Sequence, residues 1–535
     1  MVGTSDPVQM IWTRRVSEQA ARRGCRAVGS LALVLACASF AGVARANGPI
    51  GRNGESIKTS RYSIDLFQGP VFAGSRVTSL GGAYVAIAWD VDGMLQNPAA
   101  PAVRPFFSVT HFDYWLGFGL TFPASLEDMD YFNTGSKTQI PNSPTSMVFM
   151  TPAAMFQFGA FGFGVNLELQ NYGLGNVTSA DGVTARLSTG FNVVHVQAAY
   201  AFGRGELVLG LGSRILDMEV RTREQSQSSS IALQSIGTGI EIGALWKPRG
   251  ERFSFGGAFR SAINTTTSFS DAAVLNDAGD VVFGTDLGQF YLPTQAILPW
   301  DVNLGVAVEI GADPLNKPWS SERHVAERTE LRLRLRMLER EDARNQELAL
   351  ATSDQQRKAI LARYAPLDAE DVAEIDAART AAYWAIQEQL ARAQRRHVVV
   401  AASALISGQA SNAVGIESFL SQTINRSGQN TSVSLRLGAE MEVIPDWVRV
   451  RTGTYLEPTR FETSSPRAHY TGGFDVRAVN WNVFGLWPDD YIWRLGVGGD
   501  VSHNYSSVSV TIAGWYPRHK GEVDLPIKPQ LPEKP

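Results

Sequence analysis

Glycine fills 50 of 535 positions, aromatic residues make up 10% and charged residues only 19%, and no apolar run beyond the N-terminus approaches the length of a spanning helix. The formal charge of −4 offers nucleic acid no basic surface. The composition excludes a helical membrane protein and a nucleic-acid binder, and it suits a polar-lined β-structure.

In chain order, Arg14, Arg15, Arg22, Arg23 and Arg26 precede the apolar stretch AVGSLALVLACASFAGVA, and Ala44-Arg45-Ala46 supplies a small-x-small cleavage site. Residues 1–46 therefore read as a secretory signal peptide, with the mature chain beginning at Asn47. Cys25 and Cys37, the two cysteines, both fall inside it, so the mature chain has no disulfide and no thiolate chemistry. The rival reading, lipidation at Cys37, meets Leu35 where a small residue is usually wanted. Cleavage removes six arginines and two acids, leaving 42 basic against 50 acidic residues and a charge of −8.

The next segment, 47–104, carries GGAYVAIAWDVDGMLQNPAA from Gly81 to Ala100. Its double glycine permits tight backbone packing, and Tyr84, Val85, Ile87 and Trp89 offer apolar contact. Asp90 and Asp92 suit bonds to cations or backbone amides, and Pro98 stops regular structure.

Residues 105–311 alternate apolar and polar side chains with period two, which predicts eight strands, the first near Phe106–Tyr114 and the seventh near Arg252–Thr266. Glycine pairs such as Gly162/Gly164 and Gly210/Gly212 lie within strands with no helix following, so they mark close packing of lumen groups and not a dinucleotide loop. Residues 312–396 break the pattern: they are charge-dense and rich in helix formers, predicting an inserted α-helical hairpin split at Pro366, with Asp368 as N-cap of the second helix. Leu331, Leu335 and Leu338 form one stripe to bury, and Val372, Ile375, Ala378, Ala382 and Ile386 the other.

Six more strands follow over 397–516, ahead of a proline-rich tail, 517–535. In SVSLRLGAEMEV, Val433, Leu435, Leu437, Ala439, Met441 and Val443 suit lipid, while Ser434, Arg436, Gly438, Glu440 and Glu442 suit water. A tight turn at Ile444-Pro445-Asp446-Trp447 sets Glu442 opposite Arg449 and Glu440 opposite Arg451, neutralising the luminal charges across strands. About fourteen antiparallel strands, with connections alternating between short and long, predict an all-β transmembrane barrel in a bacterial outer membrane. Aromatics beside the short turns, Phe202, Trp246, Phe253, Trp447, Trp487, Tyr491, Trp493, Trp515 and Tyr516, read as an interfacial ring. Strand parity puts the hairpin in the periplasm. No zinc, hydrolase-elbow or phosphate-loop motif occurs, so the chain reads as a non-enzyme without cofactor or metal. His111, His195, His469 and His503 read as lumen or interface residues.

The opening segment with Asn97-Pro98-Ala99, together with LPWDVNLGVAVEI and VSLRLGAEMEV...VRVRTGTYLEP, resembles the FadL-type outer-membrane transporters of hydrophobic compounds. The resemblance covers Asn47 to Tyr516. It implies that 47–104 folds into the lumen as a hatch, with Gly81, Gly82, Asn97 and Pro98 as hatch residues beside the apolar Tyr84 and Trp89. It further implies diffusion of long-chain fatty acids or other hydrophobic small molecules past that hatch and through a lateral opening in the wall. In the loop after strand seven, Val281, Val282, Phe283, Leu287, Phe290 and Tyr291 suit an external capture surface, against a loop that packs over the barrel mouth. The expected partners are outer-membrane lipid and the hydrophobic substrate. A contrasting expectation is a non-transporting scaffold whose hairpin docks a periplasmic protein or the cell wall.

Overall fold

The computed structural model describes residues 50–515 except 105–107, 109–110, 124–128, 138–146, 179–183, 225–229, 270–272, 284–289, 312–315, 317–318, 320–321, 393–397, 446, 463 and 481–490. The signal peptide, the tail, Leu287, Trp487 and Tyr516 lie outside the described residues.

Fourteen antiparallel strands form the wall: β1 (Phe112–Pro123), β2 (Met147–Phe158), β3 (Phe161–Thr178), β4 (Thr184–Phe202), β5 (Leu207–Glu224), β6 (Ser230–Trp246) and β7 (Phe253–Arg260), then β8 (Asp301–Ile310), β9 (Val398–Ser407), β10 (Ser432–Ile444), β11 (Val448–Glu457), β12 (Arg467–Asn480), β13 (Ile492–Ser502) and β14 (Tyr505–Trp515). Each pairs with the next, and β14 returns to β1 from Gly117↔Ala513 to Pro123↔Ser507, so the sheet closes. Closure leaves no strand edge unpaired, which hydrocarbon surroundings demand.

On β10, Val433, Leu435, Leu437, Met441 and Val443 are between 38% and 59% exposed, whereas Ser434, Arg436, Glu440 and Glu442 are buried. The same alternation exposes Leu209 and Leu211 on β5, Ile240 and Ile242 on β6, and Leu304 and Val308 on β8. An apolar exterior around a polar interior is the arrangement of a bacterial outer-membrane barrel. The β10–β11 register sets Glu440 opposite Arg451 and Glu442 opposite Arg449, as the turn predicts, with the Trp447 N–H donating to the Ile444 carbonyl at 3.0 Å.

The first described strand runs Phe112–Pro123, and ahead of it the Arg104 guanidinium donates to the Gly159 and His111 carbonyls; Phe106 lies outside the described residues. Two other placements differ from expectation. The seventh strand is interrupted after Arg260: Ser261 Oγ accepts from the Ile240 N–H, Ile263–Asn264 turns inward to pair with Gln295–Leu298, and Thr266–Phe269 returns to pair with β6. Trp515 is not an interfacial anchor: it is 3% exposed and lies under Arg449 in the lumen, whereas Phe202, Trp246 and Trp447 do face outward.

At the end bearing the longer connections, Ser63–Asp65 pairs with Gln295–Leu298 and with Ala413–Gly415 in a five-stranded cap. Tyr62, Ile64, Leu66, Leu292, Val414 and Phe419 form its core. From there the N-terminal segment descends into the lumen, where Ser75–Ser79 forms a helical turn, α1.

At the opposite end, between β8 and β9, stand α2 (Glu322–Leu350) and α3 (Asp354–Arg392). They part at Ala351–Ser353, not at Pro366, which lies inside α3. The stop is a capping box: the Gln356 N–H donates to Ser353 Oγ, and Gln356 Oε1 accepts from the Thr352 and Ser353 N–H groups. Asp368, expected to cap, instead pairs with Arg340 and Arg344. The facing surfaces are joined by Arg336–Asp371, Arg340–Asp371, Arg363–Glu347 and Arg379–Glu330, with Leu333, Ala382 and Ile386 buried. Ion pairs thus hold the side expected to carry the first leucine stripe, and Leu331, Leu335, Leu338 and Val372 remain exposed.

Candidate functional site: a filled barrel lumen

The luminal segment is shaped by its glycines. Gly81 and Gly82 take φ of +60° and +76°, and the Gly82 N–H reaches back to the Val77 carbonyl at 2.9 Å, ending α1 in a left-handed turn. A Cβ on Gly81 would stand 3.0 Å from the Thr454 carbonyl oxygen, and one on Gly82 2.7 Å from Arg436 Nη1. Farther along, Asn97 Nδ2 donates to the carbonyls of Val85 and of Ala244 on β6, at 2.9 and 3.0 Å, which ties the segment to the wall. The carbonyls of Pro98 and Pro101 occupy the space a side chain would take at Gly210 and Gly162, so these strand glycines admit the luminal backbone. The Tyr84 hydroxyl donates to the Trp89 carbonyl at 3.0 Å.

Charge then fixes this segment to one side of the wall. Arg76, 1% exposed, pairs with Asp90 at 2.9 Å and with Glu440 at 2.7 Å while lying 4.1 Å from the Trp89 ring centroid. Arg451 bridges Glu440 at 2.5 Å and Asp475 at 2.7 Å, and Arg494 joins Asp475 at 2.7 Å to Asp92. Arg449 is looser, 3.9 Å from Glu442, and stacks on Trp515. The cross-strand pairs therefore do more than neutralise each other: they receive a third partner from the lumen. Asp90 also accepts from the Asp92 N–H, at an unusual φ of +63° for a non-glycine. Arg76, Asp475 and Arg494 were not singled out in the sequence; Arg76 is the only charged residue between Leu66 and Trp89, the one signal that could have marked it.

The other side of the lumen is different. A cavity of about 180 Å³ lies between the luminal segment and β3–β10. One part of its lining is apolar, with Phe67, Phe72, Phe191, Val193 and Leu216; the other is polar, with Glu168, His195, Arg214, Arg260, Asp301 and Arg436. His195 sits between Glu168 at 3.1 Å and Glu241 at 3.2 Å, and Arg260 pairs with Asp301 at 2.8 Å. Arg436, 9% exposed, makes only a long bond to Ser434 Oγ at 3.4 Å, and no carboxylate pairs with it among the described residues. His469 occupies a separate buried cluster with Asp500 and Glu457.

Met94 and Val91 of the segment press on the wall at its glycines, Gly164 and Gly117. A Cβ on Gly117 would meet Val91 Cγ2 at 2.6 Å, and the β2–β3 pairing passes from Met150↔Leu169 to Ala153↔Asn166 across Pro152, which has no N–H to donate. Outside, Leu116, Phe118, Pro152, Val165, Leu167 and Ile512 line an apolar dent.

The loop after β7 lies over the mouth. Val282, Phe290 and Tyr291 are buried in the cap core, at 2%, 8% and 7% exposure, and Val281 packs against it. Val281–Phe283 pairs with Ala273–Leu275 and with Phe290–Tyr291. Val281, Val282, Phe290 and Tyr291 thus pack into the cap, while the Phe283 side chain and Leu287 lie outside the described residues.

No family model and no curated protein matches the chain. Among solved structures, the CymD monoaromatic hydrocarbon channel is 11% identical with a TM-score of 0.42, covering 85% of this chain and 100% of that one. The TodX monoaromatic hydrocarbon channel, as a deltaS2 mutant, is 10% identical with a TM-score of 0.37, covering 82% and 97%. An outer membrane channel from Pseudomonas putida F1 is 10% identical with a TM-score of 0.27, covering 67% and 95%. Likenesses this loose define nothing alone, and the barrel rests on its own strand ladders.

Proposed function

We propose that the protein is an outer-membrane channel through which hydrophobic small molecules diffuse past the luminal segment, acting as a hatch, without chemical change. The carrying observation is the continuity from cavity to lipid. Leu95 lines the luminal cavity, its neighbour Met94 packs with Val91, Trp115 and Met155, and that cluster backs onto the wall at Gly117 and Pro152 beside the external apolar dent. An apolar solute gains free energy at each stage of such a path, so movement needs only displacement of the hatch. The missing ladder bond at Pro152 makes β2–β3 the natural place for a lateral opening.

Long-chain fatty acids are the finer substrate that the family resemblance suggests. The test is uptake of a labelled long-chain fatty acid and of toluene into proteoliposomes containing the full chain: flux above empty vesicles for either is expected, and absence of both sinks the channel reading. The exposed Leu331, Leu335 and Leu338 favour a second reading, a scaffold whose hairpin docks a periplasmic partner. Deleting residues 320–396 separates the two, since a channel keeps its flux.

A further inference from the structure

We infer that the luminal cavity is a binding site for a compact aromatic carboxylic acid, held by its carboxylate on Arg436, with its ring among Phe67, Phe72, Phe191 and Leu216. This deepens the channel reading and rests on it. Three observations converge.

The first is charge. Every other arginine of the cavity has a carboxylate within reach: Arg260 has Asp301 and Glu241, and Arg214 has Asp301 at 3.8 Å. Arg436 is buried against Gly82 with no carboxylate at salt-bridge distance among the described residues, Asp301 acting on it only from farther off. A buried guanidinium without an anion is costly, and removal from water makes a planar bidentate acceptor the favoured ligand. The second is polarity: one part of the lining, Phe67, Phe72, Phe191, Val193 and Leu216, is apolar and partly aromatic, so an inorganic anion on Arg436 would leave that part of the cavity without a suitable partner. The third is size. An apolar cavity of about 150 Å³ takes a single benzene ring, and this one measures about 180 Å³. One ring with its carboxylate fits; a long acyl chain exceeds the space and would have to trail out of the cavity.

The experiment is calorimetric titration of the purified full-length protein with 4-methylbenzoate, with the isosteric but neutral 4-methylbenzamide, and with hexadecanoate. The acid is expected to bind at least about tenfold more tightly than the amide, the order of one charge-assisted bidentate contact. Arg436→Gln should abolish that preference while Arg436→Lys retains part of it. Because a ratio is read, partial loss of folded protein does not mimic the result. Leu216→Trp, which fills the apolar part, should weaken acid and amide alike. Equal binding of acid and amide by the wild type, an unchanged ratio in Arg436→Gln, or tighter binding of hexadecanoate than of 4-methylbenzoate overturns the assignment. Toluene flux distinguishes the levels. Flux without acid preference sinks the ligand class alone; acid preference without any flux supports the site and sinks the channel.

Discussion

Arg451 and Arg436 stand on neighbouring strands of the same lumen and meet opposite circumstances. Arg451 is clasped by Glu440 and Asp475, with Arg76 of the luminal segment sharing Glu440; Arg436 touches only a serine and the edge of a cavity. One side of the barrel, β10–β13, uses matched charge to hold the luminal segment. The other, β3–β10, pairs its remaining charges but leaves Arg436 without a salt bridge beside open space. Buried ion pairs contribute little net stability against apolar packing but impose one geometry, because removing either partner strands the other. The lumen is thus divided into a side that determines where the luminal segment sits and a side that leaves a cavity beside it.

The strongest attack on that division is Arg76→Met, which leaves Asp90 and Glu440 short of their cation. Breaking a buried pair costs roughly 3–5 kcal/mol, so residues 75–97 should lose amide hydrogen-exchange protection and single-channel conductance in planar bilayers should rise. A hatch as protected as in the wild type would show that packing, not charge, fixes it. Gly81→Ala acts on the same side through geometry. The left-handed φ costs about 1–2 kcal/mol for an L-residue, and the added Cβ faces the Thr454 backbone, which cannot rotate away. A smaller loss of protection, centred on α1 and the turn after it, is expected in the same measurement.

The wall of this division was legible in the sequence and its contents were not. Period-two alternation fixes which side chains meet lipid, and the tight turn sets the Glu440–Arg451 pairing from spacing, although the hairpin closes through a bulge between Glu442 and Ile444 and not by two residues alone. Arg76–Glu440 does not follow from spacing, because it joins residues 364 apart through a lumen that exists only once fourteen strands have closed. Trp515 misled for the same reason: an aromatic near a strand end looks like an interfacial anchor until parity turns it inward onto Arg449. In the hairpin, leucines at helical spacing predicted a buried stripe, but arginines and acids at similar spacing took the facing positions. Hydrophobic period alone does not decide between two amphipathic faces when one of them can be zipped by charge. The cap loop shows the complementary ambiguity, since apolar residues in a long connection read as a capture surface or as a lid over the mouth until their packing is known.

Pro152→Ala tests the solute side. Restoring an N–H allows the ladder between β2 and β3 to gain a bond worth roughly 0.5–1.5 kcal/mol net. If the solute leaves between those strands, its flux into proteoliposomes should fall by about two- to tenfold, with hatch protection unchanged. Unchanged flux places the exit elsewhere.

The smallest expected effect comes from the hairpin, where the same arginine–carboxylate chemistry operates near water. There a pair is worth about 0.2–1 kcal/mol and is screened by salt. Hydrogen bonds from Arg379, joined by one from Arg334, hold the Glu330 carboxyl below the usual glutamate range despite the opposing effect of desolvation. A carboxyl with a lowered folded-state pKa stabilises above its unfolded value, about 4.3, and that contribution disappears as pH falls through the folded value. Helix melting followed at 222 nm should therefore move to lower temperature as pH drops below about 4.3, and Glu330→Gln should flatten that dependence. High salt should depress the same transition while hatch protection in the lumen stays constant, because screening reaches exposed pairs and not the buried Arg76–Glu440–Arg451 chain. If salt instead released the hatch first, the luminal pairs would have to be in contact with water, and the contrast between the two sides of the lumen would rest on shape rather than on charge.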